Sequence, residues 1–393
     1  MHSILALFER VWHYGGGELA TNLILQLLKN EGFDITVVTG MKEEIGRVQG
    51  INYVYSSLLD TQSKILLWKN LVKLPNWLKR LISQSEIVYV PRVAYPVIPY
   101  AKKLGKKVIV HLHNYQPITY TSIIYHGEKK GSVMSEFKKS FVFEIEENKS
   151  LLRGILSCFI SQINKLCLHW LKHCNAIICV SKRQAEIVSE WVPELANKIR
   201  VIYNPLPEVT FIAKSLKKPI FLYIGGESYN KGFYVLLRAI NKALLKKDLT
   251  FIFAGSFSNG IRTELRRKHP NVIRLTGHLP HTELLRLHGE CRASLFPSIC
   301  EEPLPYAVIE SMLAGTIPIA SEVGGIPEIV EGTFAERFMF KPGDVDGLID
   351  RMEAVLAMSS SDVMNIGLKL REAVLRRFSI EDTKKRLLEV FST

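Results

Sequence analysis

The sequence predicts an α/β protein made of two doubly wound parallel-sheet domains. Through both halves, short apolar runs alternate with apolar patterns at helical spacing, the signature of strands joined by crossover helices. A chain of 393 residues suits two domains of about 150–200 residues each. Its 47% apolar content suffices for two ordinary cores.

In chain order, residues 4–11 form the first strand candidate. His13-Tyr14-Gly15-Gly16-Gly17-Glu18 follows, then a helix through Leu19, Leu23, Leu27 and Leu28. Glycines at a strand's carboxyl edge let backbone N–H groups approach an anion, although a simple tight turn would use them too. The run lacks the G-x-G-x-x-G spacing, which disfavours a nicotinamide site. Further strands are expected at residues 35–39, 87–90 and 108–112, with a helix through Tyr100 and Leu104. His111 and His113 end the last of these strands and are read as facing opposite ways. One of them at the sheet's carboxyl edge could hydrogen-bond a ligand or move a proton; a structural role is the alternative.

Tyr115, Tyr120 and Tyr125 stand on the loop that follows, a candidate ligand-binding loop. From Leu151 to Leu171, apolar residues including Ile155, Leu156, Phe159 and Ile163 recur at spacings of three and four. Such a stripe packs on a core or helps a lipid-linked ligand dock. Residues 176–180 read as the next strand, with Ser181 as N-cap of the helix after it. Pro205, Pro207 and the basic stretch 214–219 mark a linker. The domains therefore divide as residues 1–205 and 206–375, with a terminal helix in 376–393.

The second half opens with a strand over residues 220–224 and the loop Gly225-Gly226-Glu227-Ser228-Tyr229-Asn230-Lys231-Gly232. A lysine at the mouth of a strand–loop–helix unit can neutralise phosphate charge. Strands at residues 250–254 and 272–275 lead to Gly255-Ser256 and to Thr276-Gly277-His278-Leu279-Pro280. Asp344-Val345-Asp346 has the form of a metal–diphosphate motif, yet it opens an amphipathic helix through Leu348, Ile349, Met352 and Val355. Capping is the better reading, and no metal is expected.

The most informative stretch begins where the apolar run 293–296 ends: Pro297-Ser298-Ile299-Cys300-Glu301-Glu302-Pro303-Leu304-Pro305-Tyr306-Ala307. A helical pattern through Val308, Ile309, Met312 and Leu313 follows, and Gly315 stops it. Strand, Pro-rich turn and helix place a helix N-terminus at the sheet's carboxyl edge, where it suits a diphosphate. Glu302 precedes that helix and Glu310 lies within it, so hydroxyls on the same ligand could be met by carboxylates. For either Glu alone, capping or solvation would serve as well.

With Gly324-Gly325-Ile326-Pro327-Glu328 downstream, this string resembles the signature of the family 4 retaining glycosyltransferases over roughly thirty ungapped residues. The resemblance implies a GT-B fold, with two Rossmann-like domains facing a cleft and a terminal helix crossing back to the first. It implies transfer of a sugar from a nucleoside-diphosphate sugar to an acceptor hydroxyl, in glycan or glycolipid assembly. Glu302 would meet donor-sugar hydroxyls and Glu310 the ribose. Lys231 would neutralise the leaving diphosphate, and His113 (or His111) would stand near the donor sugar. The donor side would include Gly16, Gly225, Gly226, Gly277, Leu279, Leu304, Tyr306 and Ala307; the acceptor side Gly15, Glu18 and Tyr115. Two departures stand out. The family's arginine is replaced by Gly226, and its usual glycine by Pro305, which has no N–H to offer a phosphate. A GT-B phosphorylase or a sugar-nucleotide epimerase is the alternative, followed by a non-catalytic binding protein.

The formal net charge is +13, unevenly spread. Between Asp60 and Lys107 stand ten lysines and arginines against Asp60 and Glu86, with Trp68 and Trp77 among them. Such a region suits an anionic membrane surface or is simply solvated. No nucleic-acid motif accompanies it, so nucleic acid is not an expected partner. Six cysteines without metal-finger spacing, and no signal-like start, lead to the expectation of a cytoplasmic protein at or near the inner membrane face, without cofactor.

Overall fold

The computed structural model describes residues 2–9, 15–44, 46–61, 63–209, 219–243 and 249–392. The first half contains β1 (Ser3–Leu7), α1 (Gly16–Asn30), β2 (Asp34–Thr39), β3 (Asn52–Tyr55), α2 (Lys64–Val72), α3 (Asn76–Gln84) and β4 (Ile87–Val90). It continues with α4 (Ile98–Lys103), β5 (Lys107–Leu112), α5 (Val133–Glu146), α6 (Leu151–Ile163), α7 (Lys165–Leu171), β6 (Ala176–Cys179), α8 (Lys182–Trp191) and β7 (Ile199–Val201). These strands form one parallel sheet in the order β3-β2-β1-β4-β5-β6-β7. The order reverses at β1, so helices cover both faces and the switch point opens a crevice at the carboxyl ends.

The second half repeats the plan. It runs β8 (Ile220–Ile224), α9 (Phe233–Ala243), β9 (Thr250–Ala254), α10 (Asn259–Lys268), β10 (Ile273–Gly277), α11 (His281–Glu290) and β11 (Ala293–Phe296). Then come α12 (Tyr306–Leu313), β12 (Ile317–Ser321), α13 (Ile326–Val330), β13 (Met339–Phe340), α14 (Val345–Leu356), α15 (Ser360–Arg377) and α16 (Ile380–Ser392). The strand order is β10-β9-β8-β11-β12-β13, again parallel throughout. Helix α16 returns to the first sheet, where Leu387, Val390 and Phe391 share a core with Ile4, Tyr89 and Ile178.

Strand β1 ends at Leu7, short of the expected residues 4–11, and residues 10–14 lie outside the described residues, as does the basic linker 214–218. Strand β3 and helices α2 and α3 were not anticipated, because the strand is only four residues long and each helix only nine, too short for a clear period. Trp68, expected at a surface, is instead 3% exposed and packs edge-on against Trp170 at 5.5 Å. Asp344 accepts from the Gly347 N–H at 2.9 Å as the N-cap of α14.

The stripe between residues 151 and 171 is a second correction. In α6 the inward residues are Gly154, Ser157 and Ser161, whereas Leu151, Leu152, Ile155, Leu156 and Phe159 face out. Small residues let α6 lie close against α5: a side chain at Gly154 would start 3.1 Å from the Phe141 ring. The apolar stripe meets the core only in α7, through Cys167, Trp170 and Leu171.

Candidate active site

Lys231 sits between β8 and α9, on a loop sewn to the end of β11. The Ile299 N–H donates to the Asn230 carbonyl at 3.0 Å. Gly232 makes the contact possible: its φ is +73°, and a Cβ there would lie 1.7 Å from the Pro297 carbonyl oxygen. The approach delivers the Lys231 ammonium to Glu302, with Nζ 2.7 Å from Oε1 and 2.9 Å from Oε2. Ser298 Oγ donates to the same carboxylate at 2.9 Å. Two of the three ammonium protons are thus directed at Glu302, leaving one for a ligand. The Lys231 side chain is 45% exposed and reaches that ligand from an open side. Glu302 is itself held from behind, its carbonyl accepting from the Gly325 N–H at 2.8 Å.

The missing arginine has a backbone reason. Gly226 has φ +61°, and a Cβ there would stand 2.8 Å from the Ser256 carbonyl oxygen, so this turn has no room for a long side chain. Pro305 is equally well placed: it is the N-cap of α12 with φ −73°, a position that suits the ring and whose own N–H is dispensable. The N-terminus of α12 has no side-chain cap, so its first N–H groups are available. Lys231, Ser298, Glu302, Pro305 and Ala307 line one small open pocket. Leu304 is not among its lining residues and is buried in the core of the second half.

Across from α12 stands α1, also without a side-chain cap. A side chain at Gly16 would start 3.3 Å from the Tyr306 ring, so two helix N-termini from opposite halves meet at one point. Tyr306 Oη donates to the Pro205 carbonyl at 2.6 Å and fixes that approach. Beside Gly15 and Gly16, Glu18 is held by Arg92, which also pairs with Glu9 at 2.7 Å.

His111 and His113 do not face opposite ways. Residues two apart share a face of a strand, and their rings lie 4.2 Å apart. His111 is buried against Tyr89 Oη at 2.9 Å, and burial lowers its pKa to about 3. His113 is nearer the cleft: Nε2 lies 3.3 Å from Thr21 Oγ1 on α1. Removal from water, then the His111 ring and Arg92, hold its pKa well below 6.5. It is therefore a neutral imidazole at physiological pH, fit to hydrogen-bond a hydroxyl.

Tyr115 does not stand on an open acceptor face. It is 1% exposed, in the core of the first sheet, and burial raises its phenol pKa far above 10. Gly277 ends β10 and its carbonyl accepts from Gly255 at 2.8 Å, while the Leu279 side chain packs against Leu222, Ile252 and Leu287.

Several residues passed over in the sequence hold the site together. Glu301 accepts from Arg183 Nη2 at 3.3 Å, from His126 and from the Gly324 N–H. Glu328 receives the Lys182 and Arg183 N–H groups at 2.9 and 2.8 Å, capping α8 from the other half. Glu147 accepts from the Asn230 N–H at 2.9 Å. Glu301 and Glu328 lie inside the two recognised strings but were given no role, and Glu147 had no local signal.

Glu310, one turn into α12, accepts from His281 Nε2 at 2.8 Å. That bond raises the His281 pKa above 6.5, although partial burial opposes it. A raised folded-state pKa means the contribution is full below the unfolded value and lost as pH rises through the folded one. His281→Ala should therefore cost more stability at about pH 6 than at about pH 8.5, with a difference of no more than about 1 kcal/mol because the His281 side chain is partly exposed, and the fall in Tm should follow. Melting both proteins across that range checks it; a constant difference would remove His281 as the titrating partner.

The family model for glycosyltransferase family 4 matches residues 14–209, and that for glycosyl transferases group 1 matches residues 218–358. This chain belongs to the family 4 glycosyltransferases. Anabaena HepE, solved in complex with UDP-glucose, shares the GT-B fold of this glycosyltransferase over the full length of both chains, with TM-score 0.69 and 16% identity. Over 193 residues the glycosyltransferase is 31% identical to a glycogen synthase of Mycobacterium tuberculosis, covering 46% of this chain and 45% of that one. Over 330 residues it is 25% identical to a subunit of the human phosphatidylinositol N-acetylglucosaminyltransferase, covering 80% and 61%. The chain spans less than half the length of the glycogen synthases it matches.

Proposed function

We propose that this glycosyltransferase moves a sugar from a nucleoside-diphosphate sugar to an acceptor hydroxyl, with retention at the anomeric carbon, in glycan or glycolipid assembly. The observation that carries this is the meeting of two uncapped helix N-termini, at Gly16 and Tyr306, beside the Lys231–Glu302 pair. Helix N-termini attract anions, and a lysine next to them adds a full charge.

In this reading the diphosphate lies between the Gly15–Gly16 turn and the Tyr306 and Ala307 N–H groups. Lys231 takes up negative charge as the bond to the anomeric carbon breaks, a preorganised electrostatic effect. Glu302 accepts from donor-sugar hydroxyls, Glu310 from the ribose, and neutral His113 hydrogen-bonds the sugar. The base rests near Gly277 and Leu279, past the turn at Gly225 and Gly226. Glu18 and the Gly15 turn face the acceptor. The diphosphate charge is assigned to Lys231 and the helix N-termini, and no metal is invoked. The place of work is the cytoplasmic face of a membrane.

Thermal melting against uridine, guanosine and adenosine diphosphates and their sugars tests the donor site. One of them at about 100 times its Kd should stabilise the fold by about 2.7 kcal/mol. The absence of a shift with every one at millimolar concentration would overturn the reading.

A further inference from the structure

We propose that the outer face of α6 docks this glycosyltransferase onto an anionic lipid bilayer. Leu152 is 68% and Phe159 70% exposed, and Leu151, Ile155, Leu156 and Ile163 continue the same face. Scattered single apolar residues need no explanation, but a contiguous row along a helix does. The helix is turned against the usual order, since its glycine and two serines face in. Leaving that row in water is unfavourable, so the face points to a partner.

Charge selects the partner. Between residues 129 and 172 the exposed charged side chains are all cations, among them Lys129, Lys138 and Lys165; Arg153 is paired with Glu144 at 3.1 Å and Lys149 lies over the Tyr234 ring. The four glutamates of that stretch (Glu136, Glu144, Glu146 and Glu147) are buried or partly buried. An apolar face in a segment whose exposed charges are all positive fits an anionic membrane surface.

The geometry favours lying on the bilayer over crossing it. Residues 151–171 are long and apolar enough to cross. However, Cys167, Trp170 and Leu171 belong to the core of the first sheet, so crossing would dismantle that domain. Glu147, in the turn before α6, holds Asn230 beside Lys231, so the docked helix is tied to the donor loop. The inference deepens the glycolipid reading above and is separable from donor binding.

The test is flotation of the full chain with phosphatidylcholine vesicles, with and without roughly a third phosphatidylglycerol. The parent should partition onto the anionic vesicles, less so at about 0.5 M salt. Leu152→Glu with Phe159→Glu should lower partitioning about tenfold or more. The nucleotide-dependent melting shift of this variant should match the parent, so a failure here leaves the donor site standing. Phe159→Trp provides a second measurement on an unperturbed face: its added fluorescence should be quenched by brominated acyl chains. Three results would overturn the proposal: no binding of the parent, equal binding of the glutamate variant, or no added quenching. A parent that is a dimer without lipid and a monomer as the glutamate variant would also overturn it, in favour of a second copy on this face.

Discussion

Lys231→Ala is expected to lower kcat about 10²–10³-fold, the scale seen when one preorganised electrostatic contact is removed. The ammonium lies 2.7 Å from Glu302 and is open to the pocket, and the neighbouring family cation is replaced by Gly226. Much of the compensating charge therefore rests on one side chain. The stability cost should be small, about 1 kcal/mol or less, because the lysine is half-exposed and Ser298 still donates to Glu302. Lys231→Arg keeps the charge and should recover part of the rate; Lys231→Met should not. Single-turnover transfer with each variant, alongside its melting curve, checks this. A parent-like rate for Lys231→Ala would remove the residue from the proposed chemistry.

Gly232→Ala should be the most damaging single-methyl substitution near the site. It combines a backbone at φ +73° with a new carbon 1.7 Å from the Pro297 carbonyl. The conformation alone costs about 1–3 kcal/mol. The overlap adds to this, because the obstructing atom is backbone bonded into the β11 end. A loss of about 4 kcal/mol and a Tm fall of about 10 °C follow. Gly332→Ala separates the two causes. Its φ is +65° with nothing within 4 Å of the added carbon, so it should cost only the conformational part, about 2–4 °C per kcal/mol. Equal falls for the two variants would mean that the close approach at Gly232 is not what the loop depends on.

The two-sheet plan was legible because its signals are local. Strand β4 at Ile87–Val90 coincides with the apolar run, and Gly-rich and Pro-rich turns mark the carboxyl edges. The Glu302–Glu310 string likewise identifies the family from contiguous residues. Helices α2 and α3 were less legible, because nine residues span too few turns for their apolar spacing to stand out.

What the sequence determined by itself is the alternation of elements, the turn chemistry and the family string. Each of these depends on residues a few positions apart, whose steric and polar preferences act along the chain. What the tertiary structure decided is which groups meet: Lys231 with Glu302, Glu310 with His281, Glu328 with the start of α8, and Gly16 with Tyr306. It also decided which side of α6 turns inward. Apolar spacing shows that a helix has two faces, but only the neighbour determines which is covered. Here the flat edge of Gly154, Ser157 and Ser161 let α5 come close, and the leucines were left outside.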